Sequence, residues 1–261
     1  MIKLSDYVFQ FLQEKGVQYA FMLPGGGAMH LDDSIGRSGI QYICTLHEQA
    51  AAVAAEAYAQ HTNRIGVCLT TSGPGATNAI TGITAGWIDS TPMFVISGQA
   101  KRSDLIGETG VRQIGSQEVQ IIDMVRPITK YAVQVMEPAE IRYHMERAYY
   151  EATNGRPGPV WLSIPLDVQA AMVEPEKLEG YVPETPAKPD LTETITKTVR
   201  LLQQAKKPVI LAGNGIKLAD ATEDFYKLLE VLPIPVLTTW KTIDMLGAVS
   251  YTHLTLPTNS L

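Results

Sequence analysis

Glu48 is the residue in this chain best placed to do chemistry: a lone carboxylate at the head of LHEQAAAVAAEAYAQ, residues 46–60. At a strand-to-helix turn, where α/β folds gather their reacting groups, a carboxylate can hold or pass a proton. The plainer alternative is that it meets the positive end of a helix dipole, an effect worth about 0.3–1 kcal/mol. Two glycine turns, PGGG at 24–27 and SGPG at 72–75, are the other candidates, because backbone without a Cβ can approach a ligand closely. The five histidines and the two cysteines, Cys44 and Cys68, have no metal-ligand spacing, and the cysteines read as reduced core residues.

The elements that would position these residues follow from period and punctuation. Seven of the ten residues at 50–59 are alanine, which predicts a closely packed helix. Ahead of it, 40–45 (IQYICT) reads as a short buried strand, so His47 and Glu48 fall in the turn between them. Residues 5–15 predict a helix closed by Gly16, and 19–23 a strand that runs into PGGG. The apolar runs 65–71 and 92–98 predict strands buried on both faces, with SGPG opening a helix toward Asp89. Two more strands are expected at 131–135 and 159–164, flanking a helix over 138–154. Repeated βα alternation predicts a doubly wound, parallel, six-stranded sheet, with the three turns on the edge formed by the strands' carboxyl ends. Residues 99–127 are polar and glycine-broken, and their length marks a functional loop.

The expected organisation is a first domain over 1–170 and a Pro/Glu/Lys-rich linker over 171–190. A second α/β unit over 191–246 then begins with a helix at 192–205 and a strand at 208–212. A GNG turn, a helix at 218–232 and a strand at 235–239 follow. The tail 247–261 has no period matching what precedes it and reads as an artefact joined to a shortened gene. That expectation falls if the native locus encodes it. Net charge is -6 with no Lys/Arg-rich run, which argues against nucleic acid and anionic membranes as partners. No apolar run approaches the roughly 18 residues of a membrane span, and the amino end reads as an amphipathic helix. The expected compartment is the cytoplasm.

Six stretches taken together are specific: PGGGA at 24, LHEQAAAVAAEAYA at 46, TTSGPGATNAITGI at 70, SGQ at 97, RPITKY at 126 and GRPGPVWLSIPLDVQ at 155. In this order and spacing they resemble the thiamine-diphosphate-dependent enzymes of the acetolactate synthase group, over residue 1 to about 245. The resemblance implies a pyrimidine-binding domain followed by the start of a Rossmann-like central domain. The family's third domain, which holds the diphosphate and Mg²⁺, is missing from the stretch in hand, so the chain by itself is expected to be inactive.

The resemblance also assigns roles. Glu48 matches the glutamate that hydrogen-bonds N1′ of the aminopyrimidine and shares a proton there; a carboxylate drawn out of water suits that exchange. Pro74 and Asn78 match positions lining the aminopyrimidine, and Gly25 and Gly26 the turn beside the reacting carbon. Gln117 matches the glutamine near the substrate. A few extra residues precede it, Ser116 stands where the group usually has phenylalanine, and Gln113 is a rival for the role. Arg156 matches a flavin contact. Gly213, Gly215, Thr238 and Thr239 resemble flavin-side turns, whereas Trp240 and Lys241 depart from the usual small, apolar continuation; FAD is one expected cofactor on that basis.

The function implied is decarboxylation of pyruvate or a similar 2-oxo acid and transfer of the two-carbon unit to an acceptor, by a homodimer or homotetramer with the alanine helix near a two-fold contact. Two alternatives stand beside it. One is another thiamine-diphosphate decarboxylase or a sugar-ketone carboligase. The other is a non-catalytic α/β binding or assembly module.

Overall fold

A computed structural model of the chain describes residues 1–184 and 189–247, with the backbone of 253–255. Two compact units divide it, Met1–Pro183 and Glu184–Leu261. The first opens with the short strand β1 (Ile2–Lys3) and helix α1 (Leu4–Glu14), whose buried face is Leu4, Val8, Phe9, Phe11 and Leu12. Strand β2 (Tyr19–Met22) enters the PGGG turn, α2 (Met29–Arg37) leaves it, and β3 (Gln41–Cys44) leads to α3 (Glu48–Thr62). Strand β4 (Gly66–Thr70) enters SGPG, from which α4 (Pro74–Asn78) and α5 (Ile80–Ile88) run on, separated at Ala79. Strand β5 (Met93–Gln99) begins the polar loop, which ends in α6 (Ile121–Val125). Strand β6 (Tyr131–Gln134), α7 (Ile141–Thr153), β7 (Pro159–Pro165), α8 (Leu166–Ala170) and β8 (Met172–Val173) complete the unit.

The six long strands form one sheet in the order β3-β2-β4-β5-β7-β6, every pair parallel. Register aligns Cys44, Met22, Leu69, Ile96 and Leu162 in one row across five strands, so the turns that follow emerge on a common edge. Alternate residues of each strand feed opposite faces. Val67, Leu69, Phe94 and Ile96 pack under α1, α2 and α7, whereas Cys68, Met93, Val95 and Trp161 pack under α3, α5 and α6. This is the doubly wound sheet that the βα alternation predicts.

Alanine and glycine set the spacing of the second face. Ala51, Ala52, Ala55 and Ala59 of α3 are buried. Gly66 of β4 lies so near the Ala55 carbonyl and the Ala59 methyl that no side chain fits, and Gly82 of α5 is pressed against Ala52. Helix–helix and helix–strand distances here are those of bare backbone.

Three expectations are corrected. Strand β3 is not buried: it is the edge of the sheet with one neighbour, leaving Tyr42 51% and Ile43 44% exposed. Cys44 is exposed with it, whereas Cys68 is buried and its thiol is pushed up to about 12, by burial first and then by the Glu48 charge. The linker does not begin at 171. β8 pairs antiparallel with β1, Arg142 donates to the Leu178 carbonyl at 3.2 Å, and the Tyr181 amide donates to Glu146 Oε2 at 2.7 Å. Its composition suggests extended chain, but Val173 and Leu178 find the core edge and Tyr181 packs edge-on to Tyr143.

The second unit has α9 (Thr192–Gln204), β9 (Ile210–Ala212), α10 (Gly215–Leu218), α11 (Thr222–Val231), β10 (Val236–Thr238) and β11 (His253–Thr255). Its strands form a parallel sheet in the order β11-β10-β9 around Ala212, Phe225, Val236 and Met245. No residue of α9 is buried, although its pattern is amphipathic. The tail, expected to lack strand period, has a paired strand at 253–255; 248–252 and 256–261 lie outside the described residues.

The packing predicts opposite outcomes for two glycine-to-alanine changes. Gly82→Ala puts a methyl 2.7 Å from Ala52 Cβ and 2.8 Å from the Val53 nitrogen, and should destabilise by about 1–3 kcal/mol. Gly36→Ala, in α2 with nothing within 4 Å, should stabilise by about 0.4–1 kcal/mol. Urea unfolding of the two variants beside the parent checks both signs.

Candidate active site

Three hydrogen bonds tie the PGGG turn to side chains. The Gly25 amide donates to Asp32 Oδ2 at 3.1 Å, the Gly27 amide to Thr71 Oγ1 at 3.0 Å, and Gln169 Nε2 donates to the Gly27 carbonyl at 2.8 Å. Contact with the SGPG turn is equally tight: a Cβ on Gly25 would lie 2.6 Å from Thr71 Cβ, and one on Gly27 would lie 2.8 Å from Ser72 Cβ. Gly73 takes the left-handed φ of 59° that favours glycine, and Pro74 occupies the first position of α4, where its missing N–H costs nothing.

Glu48 is the first residue of α3, after an N-cap His47 whose Nδ1 accepts from the Gln49 amide at 3.1 Å. Only 8% of it is exposed. Asn78 Nδ2, at the end of α4, donates to Glu48 Oε2 at 2.9 Å. Gly75 lies against the other oxygen: a Cβ there would come 3.0 Å from Oε1 and 2.6 Å from Thr71 Cγ2. Among the described residues nothing hydrogen-bonds Oε1. One carboxylate oxygen is therefore fixed by a side-chain amide, while the other is left available beside a glycine.

Of the residues singled out in the sequence, Glu48 and Asn78 are joined directly. Pro74 stands one residue from Gly75, and Gly25 meets them through Thr71. Gly26 belongs to the same turn but is exposed, with nothing within 4 Å of where its Cβ would be. Gln117 reaches the cluster from the polar loop: its backbone takes φ 58°, and a Cβ on Gly73 would lie 2.9 Å from Gln117 Cβ. Gln113 differs, because its Nε2 is engaged on the Gly115 carbonyl at 2.7 Å. Arg156 does not join them. Its Nε donates to Ser90 Oγ at 2.6 Å, and both residues precede strands, at the amino ends of β7 and β5.

Several residues escaped the sequence reading. Thr71 braces both glycine turns, Gln169 reaches the PGGG carbonyl from α8, and Glu118 collects amides of the polar loop. Asp32 sits one α2 turn beyond PGGG, and its Oδ1 is buried without a hydrogen-bond partner. A polar residue shortly after a glycine turn is the signal that could have found it.

The profile of the thiamine pyrophosphate enzyme N-terminal TPP binding domain matches residues 2–124, and that of the central domain of the same enzymes matches residues 195–255. The chain belongs to the thiamine pyrophosphate enzymes. Within them it is similar to the probable acetolactate synthase large subunit of Methanocaldococcus jannaschii, 38% identical over 246 residues, covering 91% of this chain and 40% of that one. It is also similar to the acetolactate synthase large subunit of Lactococcus lactis, 38% identical over 240 residues (90% of this chain, 40% of the relative). Acetolactate synthase 3, chloroplastic, of Brassica napus is 34% identical over 246 residues, covering 91% and 36%. The chain thus spans about two fifths of the length of these relatives.

Asp32 gives the site a pH signature. Burial lifts its carboxyl from 3.8 to about 6, against the opposing Gly25 hydrogen bond. The folded chain then keeps a proton that the unfolded chain has lost, so this group's contribution to stability falls between about pH 4 and pH 6 and is level above. Asp32→Asn keeps an acceptor for Gly25 and cannot ionise. It should gain about 1 kcal/mol on the parent across that window, after allowance for the solvent around a partly exposed group. Urea midpoints at the two pH values check this; an equal offset at both refutes it.

Proposed function

We propose that this chain supplies the aminopyrimidine side of a thiamine-diphosphate active site. The enzyme it serves decarboxylates pyruvate or a related 2-oxo acid and passes the two-carbon unit to a 2-oxo acid acceptor. The observation that carries this reading is the buried Glu48 at the head of α3, one oxygen held by Asn78 and the other bare beside Gly75. Such a carboxylate fits a ring nitrogen that must exchange a proton in a site closed to water. In this reading Glu48 holds the proton at Oε1, Asn78 fixes the carboxylate plane, and the PGGG and SGPG turns let backbone border the cofactor. Pro74 and Gly26 line the approach, and Gln117 orients the substrate. Thiamine diphosphate, when bound, supplies the carbon nucleophile and the electron sink.

Mg²⁺ and the diphosphate would be held by the part of the enzyme that the longer relatives carry beyond the matched region. FAD is assigned a structural role. It would use the turn at Gly213 and Gly215 after β9 and Thr238 and Thr239 at the end of β10, since open α/β sheets bind nucleotides at the carboxyl ends of their strands.

The uncovered edge supports a homodimer or homotetramer. Tyr42, Ile43, Leu46 and Val53 are exposed around β3 and the head of α3, more apolar surface than a sheet edge leaves to water without risk of aggregation. A second copy of this chain is the assigned cover. The loop preceding Gln117 favours one second reading, a carboligase that uses a sugar-derived ketone, because exposed Ser116 leaves space beside Gln117.

In the full-length enzyme carrying this segment, Glu48→Gln should lower thiamine-diphosphate-dependent turnover of pyruvate by at least about a hundredfold. Turnover within about tenfold of the parent overturns the role given to Glu48. Gel filtration of that enzyme with absorbance detection should give a yellow species no smaller than a dimer; a colourless protein removes FAD, and a monomer removes the shared edge.

A further inference from the structure

The loop between β5 and α6 is built around a single buried carboxylate. Glu118 is 7% exposed. Its Oε1 accepts the Ile106 amide at 2.6 Å, and its Oε2 accepts the Ile114 amide at 3.3 Å and the Gly115 amide at 3.2 Å. None of the described salt bridges includes it. Three backbone N–H groups, converging from two separated stretches, stand in place of a cation, as charge-assisted bonds to a carboxylate can. Gly115 allows the convergence, since a Cβ on it would lie 2.5 Å from Ala100 Cβ and 2.8 Å from the Asp104 carbonyl oxygen. Gln99 Nε2, donating to the Val119 carbonyl at 3.0 Å, ties the far side of the loop to the end of β5.

Glu118 directly follows Gln117, so what anchors one places the other. Gln117 is held in the left-handed region, at φ 58°, where a residue other than glycine persists only if its surroundings impose it. Its carbonyl is pressed on Gly73 of the SGPG turn. Gln113, the rival glutamine, is spent inside the loop on the Gly115 carbonyl.

We propose that Glu118 is a positioning residue for substrate: by gathering the Ile106, Ile114 and Gly115 amides it folds the loop so that Gln117, not Gln113, borders the SGPG turn. The choice of 2-oxo acid acceptor is thereby set through a residue that does not touch it. The inference rests on the thiamine-diphosphate reading above.

Glu118→Gln keeps the shape but turns an amide N–H toward a backbone N–H, so at least one of the three bonds is lost. In this chain, amide exchange at Ile106, Ile114 and Gly115 should quicken by about tenfold or more while β4 and β5 are unchanged. In the full-length enzyme, KM for pyruvate should rise about tenfold with kcat within about threefold, and the product ratio from pyruvate against added 2-oxobutyrate should shift. Affinity for thiamine diphosphate should stay within about twofold, because the Glu48 side is untouched. If Glu118→Gln weakens the whole sheet, Gly115→Ala, which displaces the loop and leaves Glu118 in the chain, should give the same KM and product changes. Unchanged exchange, or faster exchange with KM and product ratio unmoved, overturns the proposal. A parent enzyme with no thiamine-diphosphate-dependent turnover instead overturns the functional reading on which it rests.

Discussion

A carboxylate taken out of water must be compensated where it lies, and the burial of Glu48 is the constraint that the surrounding structure answers. Its position at the start of α3 puts the positive end of a helix beneath it. Asn78 must then come within 2.9 Å, which requires α4 to begin directly after β4 and to point its last residue at the β3–α3 turn. That in turn requires the left-handed Gly73 and the absent side chain of Gly75. Sheet order follows the same demand. β2 lies between β3 and β4, so the PGGG turn is carried between the two groups that Glu48 joins.

Small residues make that arrangement rigid. The alanine face of α3 meets Gly66 and Gly82 at backbone distance, so the helix that carries Glu48 cannot shift without colliding with β4 or α5. Interiors packed this closely transmit displacement instead of absorbing it. A larger residue on this face would move the carboxylate as well as the helix. Placement of Glu48 and packing of its helix are one property of the chain.

Much of this was legible in the residues. Apolar runs bounded by glycine turns locate β2, β4 and β5, because strands buried on both faces have no polar alternation to hide them, and the alanines announce α3 because no other element tolerates so many. Exposure of β3 was not legible: IQYICT has the composition of a buried strand, and only sheet order reveals that it has one neighbour. The strap through Tyr181 was hidden for a related reason, since proline-rich composition reports local stiffness but not the aromatic surface waiting on α7. Glu118 could not be read, and Asp32 offered only its place shortly after a glycine turn. Their partners are backbone amides brought from elsewhere by the fold, and a backbone amide leaves no mark in the sequence.

Three carboxylates on this edge, two buried and one half-buried, show how differently a fold can treat the same group. Glu118 takes three amides and has no oxygen free, which suits a fixed point around which a loop is wound. Asp32 takes one amide and leaves Oδ1 buried and unpartnered, and burial pushes its carboxyl up to about 6. Glu48, like Asp32, has one oxygen bound and the other without a partner, but its bare oxygen lies beside Gly75 of the SGPG turn. A carboxylate saturated by the protein has nothing left for a ligand, and one with no fixed oxygen has no defined direction. The half-satisfied arrangement leaves an oriented acceptor in Asp32 and in Glu48, and of the two it is Glu48 that stands at the strand-to-helix turn.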